Sequence, residues 1–277
     1  HLDRGAERRG VDRAQSAMTH VLIALALVLL LPLAAGAQDC ANNAANYAPY
    51  EGEGAGTVGG AGQTNFTVDT LTDASTGNTI RTAVDQSLTS YSGRCVKFSV
   101  AGTITLNTPI NLRGTLLTID CFSAPSPGIT FKSANNASMQ TAQFFIASGD
   151  NDVIIRGCRF DGNDVTNGLA EPDDRGSTAL SISSDATGGV VIDHNSFIRT
   201  GDDTNLIRST SAKVTFSWNI VSKRGGLLIH KTAGSGCGQI ASIHHNLFDS
   251  ISHRIPLLSC TVAATSHHLD FRNNLLW

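Results

Sequence analysis

Charge is scarce in this chain: Asp, Glu, Lys and Arg make up 16% of its 277 residues, against roughly a quarter in an ordinary globular domain. Aromatic residues are also few, at 6%, and after Ala37 no helix-length stretch repeats apolar residues at a helical period. These shortages exclude charge-driven disorder, coiled coils and a long helical bundle. A formal charge of −3 excludes a chain-wide basic coat for nucleic acid. No Cys-x-x-Cys pair occurs, so the usual zinc spacing is missing. What fills the space is 27 glycines and long Ser/Thr/Asn-rich stretches, with 41% hydrophobic residues to build a core.

Only one long apolar run exists, VLIALALVLLLPL at residues 21–33, followed by the small-x-small pattern Ala35-Gly36-Ala37. The run is shorter than the ~20 residues that span a bilayer, and residues 18–37 read as a secretory signal. Residues 1–17 read as upstream translated sequence. The mature chain is then residues 38–277, a secreted, extracellular domain with no membrane association after cleavage. Removing the leader takes four Arg and three acids from the totals of 20 and 23, which leaves a net charge of −4. Cys40, Cys95, Cys121, Cys158, Cys237 and Cys260 all remain, an even number compatible with disulfides in an exported chain. Cys158 is equally compatible with a reduced thiol stacked in the core.

A repeat organises the mature chain. Ile155-Arg156-Gly157-Cys158, Ile192-Asp193-His194-Asn195, Phe216-Ser217-Trp218-Asn219, Ile243-His244-His245-Asn246 and Phe271-Arg272-Asn273-Asn274 align, and their fourth positions are 37, 24, 27 and 28 residues apart. Each unit carries a short alternating run that reads as a strand, with Gly/Ser/Asp-rich loops between. A strand repeated every ~25 residues cannot bury its inner face alone and must stack on its neighbours. The expected fold is therefore all-β, a right-handed parallel β-helix, with the asparagines forming a ladder where the chain bends. Thr79 followed by Ile80, Ala83 and Val84 predicts a short N-terminal capping helix. A β-sandwich with irregular loops is the competing architecture. The chain stops at Trp277 in or just after the last repeat's strand, so the reading expects further C-terminal sequence.

Several segments, in this order, resemble the pectate lyases of polysaccharide lyase family 1 and their pectin lyase relatives. They are Gly59-Gly60-Ala61-Gly62, the stretch from Thr67 to Asp73 leading into Ile80-Arg81-Thr82-Ala83-Val84, Gly102-Thr103-Ile104-Thr105-Leu106, and the stretch from Thr118 to Thr130. Val191-Ile192-Asp193-His194, His244-His245-Asn246-Leu247-Phe248 and Arg254-Ile255-Pro256 complete the set. The resemblance implies a secreted enzyme, a monomer, acting on polygalacturonate or pectin. Such lyases remove the proton at C5 of a uronate and expel the C4 oxygen, and the charge that develops on the carboxylate needs a cation beside it. Calcium suits this because it takes many oxygen ligands. By the resemblance, Arg254 is the catalytic base, Asp202 and Asp203 bind Ca²⁺ with help from Asp173 or Asp174, and Arg208 and Lys231 hold substrate carboxylates. The charge pattern agrees: residues 150–185 are acidic, residues 199–254 basic, and stacked turns bring such segments side by side.

Two positions depart from the family pattern: Thr178 stands where a further calcium carboxylate is usual, and Ser259 where a second Arg is usual. They keep open a metal-free pectin lyase, with Arg175 or Arg208 in place of calcium, and a non-catalytic β-helix that only binds wall polysaccharide. Polygalacturonases share the architecture and hydrolyse the polymer with paired Asp. This chain has Gly201-Asp202-Asp203 but neither a Gly-His-Gly nor an Arg-Ile-Lys segment. Asp193, His194, His244 and His245 read as structural residues of the bends and ladder.

Overall fold

The computed structural model describes residue 40 and residues 50–85, 93–112, 116–134, 142–147, 149–162, 177–183, 186–201, 203–230, 238–259 and 268–277. The leader lies outside them. Strand β1 (Asn65–Val68) is followed by a short helix, α1 (Ile80–Val84), and then by turns of three strands each. The first turn is β2 (Arg94–Phe98), β3 (Gly102–Leu106) and β4 (Ile110–Leu112). The second is β5 (Leu117–Asp120), β6 (Ile129–Ser133) and β7 (Ala142–Ile146); the third is β8 (Gly149–Arg156), β9 (Arg159–Asp161) and β10 (Thr178–Ile182). Next come β11 (Ala186–Asp193), β12 (Ser196–Ile198) and β13 (Asn205–Ile207), then β14 (Ser211–Ser217), β15 (Ile220–Gly225) and β16 (Leu227–His230). The last full turn is β17 (Ile240–His244), β18 (Leu247–His253) and β19 (Leu257–Ser259), and β20 (His268–Arg272) and β21 (Leu275–Leu276) begin another.

Like strands of successive turns pair in parallel and build three sheets of eight, seven and six strands. We call them sheet A (β1, β2, β5, β8, β11, β14, β17, β20), sheet C (β3, β6, β9, β12, β15, β18, β21) and sheet B (β4, β7, β10, β13, β16, β19). This is a parallel β-helix, as the repeat predicts. Its register follows the sequence repeat: Ile155, Ile192, Phe216, Ile243 and Phe271 are aligned partners across sheet A. On sheet C, Phe131, Phe160 and Phe197 stack inward, the last two with ring centroids 5.1 Å apart. Each turn buries little by itself, and like-on-like stacking of these side chains makes the core continuous.

The asparagine ladder forms at the bend from sheet A to sheet C. Asn219 Oδ1 accepts from the Asn195 main-chain N–H at 2.8 Å, and its Nδ2 donates to the Ile192 carbonyl at 2.9 Å. Asn246 and Asn274 repeat the pattern on the following turns. At the other end Asn195 accepts from the Cys158 N–H, and Cys158 is joined to Cys121 of the preceding turn. The amide column thus ends in a disulfide, and Cys158 is not a reduced core thiol. Cys40–Cys95 is the other bridge among the described residues; Cys237 and Cys260 lie outside them.

Thr79 caps α1 by accepting from the Thr82 N–H. The helix lies beside β1 and β4, with Asp85 bridged to Leu112, so it covers the first edge of sheet B where unpaired backbone would otherwise be exposed. Residues 50–60 cross the outer face of sheet A. The main-chain N–H groups of Glu53, Gly54 and Gly60 donate to the hydroxyls of Ser242, Thr215 and Thr118. A side chain at Gly60 would collide with the Arg94 main chain, so this close crossing requires glycine. Among the described residues no helix is long and apolar enough to cross a membrane.

Candidate functional site

The bend from sheet C to sheet B carries Asp203 and Arg254, two of the three described residues of the predicted site. After β12 the chain turns at Arg199, whose φ of 52° is left-handed, and reaches β13 through Asp203 and Thr204. Arg254, also left-handed at 64°, occupies the equivalent bend between β18 and β19. Main-chain bonds bind these bends into one corner: Ala179 N–H to the Thr204 carbonyl, Thr204 N–H to that of Gly226, and Leu227 N–H to that of Arg254. Beneath it the Thr204 hydroxyl donates to the Gly225 carbonyl at 2.6 Å, which leaves it to accept from Thr200.

At this corner Arg254 Nη1 donates to Asp203 Oδ1 at 2.8 Å, joining residues 51 apart in sequence. The Asp203 side chain is only 5% exposed, and that of Arg254 is 24% exposed. The predicted base and one predicted calcium ligand are therefore brought together, and they engage each other. A carboxylate at this distance stabilises the guanidinium as a cation and aims its donors. Arg254 thus presents a positively charged donor group to the rim while Asp203 is turned inward.

Arg208 follows β13, at the far end of the strand from Asp203. Five residues at ~3.3 Å each put its backbone roughly 16 Å away. Its N–H donates to the Ile182 carbonyl and its carbonyl accepts from Gln239. Asp173, Asp174, Asp202 and Lys231 lie outside the described residues. Thr178 is the first residue of β10, and extending the β10–β13 register by two positions sets it beside Asp203. Among the described residues no group of three or more His, Cys, Asp or Glu converges as a metal site. Asp203 is thus the one predicted calcium carboxylate among the described residues, and its Oδ1 accepts from Arg254.

Sequence reasoning missed one element of the corner. Arg199 makes a two-pronged pair with Asp161, Nε to Oδ1 at 3.1 Å and Nη2 to Oδ2, linking β9 to the bend after β12. The segregation of acids and bases predicted contact between those segments, and this pair realises it; the buried Arg156–Asp120 pair joins β8 to β5 instead. The individual partners follow from register: Asp161 is aligned with Ile198, next to Arg199.

The histidines lie at the opposite bend, from sheet A to sheet C. His194, Trp218 and His245 each precede a ladder asparagine with φ of 54–58°, and this left-handed turn throws their rings outward. Trp218 stacks on His245 at 4.4 Å and 4°, with His194 on its other side at 5.9 Å. His245 therefore belongs to an outer stack of rings, not to the ladder, and buried His244 points Nε2 at the Glu51 carbonyl. Asp193 is buried, accepts from the Ser217 hydroxyl, and holds His194 Nδ1 at 2.5 Å. That hydrogen bond raises the His194 pKa above its ordinary value; partial burial opposes the rise and the Asp193 charge adds to it.

No protein-family model matches the chain, and no curated protein matches it in sequence. Among solved structures it is similar to jun a 1, the major allergen from cedar pollen, with 15% identity and a TM-score of 0.40 over 82% of this chain and 84% of that one.

Proposed function

We propose that the protein is an exported polysaccharide lyase that cleaves polygalacturonate or pectin by β-elimination. The observation that carries this reading is the Arg254–Asp203 pair, a guanidinium fixed on the rim of a parallel β-helix by a carboxylate buried beneath it. In the reaction the C5–H and C4–O bonds break, a C4–C5 double bond forms, and the expelled oxygen takes up a proton. The step needs a positive group at the uronate carboxylate and an acceptor for the C5 proton. Arg254 supplies the first directly. It is proposed as the acceptor as well, a role in which the guanidinium must first give up a proton.

Calcium enters the proposal through Asp202, Asp203, Asp173 and Asp174, where it would neutralise the substrate carboxylate. Arg208 and Lys231 are proposed to bind further uronates; the distance of Arg208 from Asp203 assigns it to a sugar several units from the bond that breaks. A metal-free reading is favoured by one observation, the engagement of Asp203 by Arg254. Incubation with polygalacturonate, with and without a chelator, tests all of this through the ultraviolet absorbance of the unsaturated product. Full activity in chelator selects the metal-free lyase. No absorbance in either case refutes the lyase and leaves a polysaccharide-binding β-helix.

A further inference from the structure

Sheet C turns outward a group of side chains that the core does not use. While Phe131, Phe160 and Phe197 point inward, the alternate positions Thr130, Lys132, Arg159 and Ser196 point to the outer face. β3 adds exposed Thr103 and Thr105, aligned with Thr130 and Lys132, and Arg159 Nε donates to Thr130 Oγ1 at 2.9 Å. At the end of the sheet Arg199 and exposed Lys223 stand at one level on adjacent turns, both left-handed, at φ of 52° and 60°.

Lys132, Arg159, Arg199 and Lys223 thus lie on four successive turns, the turns being stacked about 4.8 Å apart, and Arg199 is paired with Asp161. Among the described residues of this face the acids are Asp161, engaged by Arg199, and Asp249, which accepts from Ser250. In a chain of net charge −3 this is a local excess of positive charge on a flat sheet rich in hydroxyls. Its chemistry complements a polymer that carries a carboxylate and free hydroxyls on every unit at a spacing close to that of the turns. Neutral glycans offer nothing to the cations.

We propose that the outer face of sheet C docks a uronan chain lying along the axis of the stack and adjoining the Arg254 corner. The identity of the polymer rests on the lyase reading; the charge and the face do not. Holding the polymer there raises the concentration of cleavable bonds at the corner without contributing to the chemical step.

The test is affinity electrophoresis of the full chain through gels containing polygalacturonate, comparing wild type, Lys132→Gln/Lys223→Gln and Lys97→Gln/Lys213→Gln. The last pair removes the same charge from strands of sheet A. Each exposed ion pair contributes little, so Lys132→Gln/Lys223→Gln is expected to bind about two- to thirtyfold more weakly, with a shallower salt dependence. Lys97→Gln/Lys213→Gln is expected to bind as wild type does, and melting curves confirm that all three proteins are folded. Equal losses in the two variants would show that only net charge matters and would overturn the proposal. So would unchanged binding in Lys132→Gln/Lys223→Gln, or a wild type that the gel does not retain. Wild-type binding that depends on Lys132 and Lys223 but yields no unsaturated product supports the docking face while refuting the lyase.

Discussion

Replacing Asn219 with Ala removes one rung from the middle of the amide ladder, and the loss can be worked bond by bond. Asn219 Oδ1 accepts from the N–H of Asn195 at 2.8 Å and from its Nδ2 at 3.2 Å; Asn219 Nδ2 donates to the Ile192 carbonyl at 2.9 Å and to Asn246 Oδ1 at 3.1 Å. Two of the groups keep other partners, since Asn195 Nδ2 still reaches the Ile155 carbonyl and Asn246 Oδ1 still accepts from the Asn219 N–H, and the Ile192 carbonyl, like carbonyls generally, tolerates under-satisfaction. The Asn195 N–H is left buried with its side-chain acceptor gone. That group alone costs about 1–3 kcal/mol, and the lost amide contacts bring the total to about 2–4 kcal/mol. For a domain of this size 1 kcal/mol shifts the midpoint by roughly 2–4 °C, so Asn219→Ala should melt about 5–15 °C below wild type at one scan rate. Asn274→Ala, at the partly exposed end of the column, should lose less. Calorimetry on the three proteins decides it. An unchanged midpoint for Asn219→Ala, or a larger loss for Asn274→Ala, would refute the claim that buried amide stacking holds the turns in register.

The other expectations concern the corner, the disulfide and the outer stack. Arg254→Lys keeps the charge but loses the planar fork that meets Asp203, so turnover by product absorbance should fall about 10²–10⁴-fold if Arg254 takes the C5 proton, while polymer binding weakens far less; near-normal turnover would remove Arg254 from catalysis. Cys121→Ala/Cys158→Ala opens a loop with a sequence separation of 37, which the chain-entropy account values at about 3–4 kcal/mol, seen as a lower denaturant midpoint with a slope that rises because the unlinked denatured chain exposes more surface. His194 has a raised pKa in the folded state, so its pair with Asp193 stabilises fully below about pH 6.5 and the benefit is lost as pH rises through the folded value. The melting advantage of wild type over His194→Gln should therefore be larger at acid than at alkaline pH, and a constant gap would contradict the assignment.

The fold was legible because a β-helix writes its period into the chain. Asn195, Asn219, Asn246 and Asn274 recur at the spacing of one turn, and aligned side chains must bury the same face, so the sequence repeat and the structural register coincide. Helix α1 was equally visible, since a threonine cap and its apolar spacing are local signals. The candidate site was legible only as a list. Residue type and motif order singled out Arg254 and Asp203, but their mutual engagement depends on how far each bend carries the chain between sheets, and no local rule sets the length of an irregular loop. The same holds for Asp161 with Arg199, and for Arg208, which a single strand separates from Asp203. His245 shows the limit most plainly. Its neighbour Asn246 turns into the ladder while the left-handed bend turns His245 outward onto Trp218, so two adjacent residues of one motif face opposite environments. By itself the sequence determined the period, the core and the ladder, because these repeat from turn to turn and each turn is the template for the next. Only the tertiary structure decided which charges meet at the corner and which rings stack outside it, because ion pairs and ring contacts between turns depend on bend geometry that does not repeat.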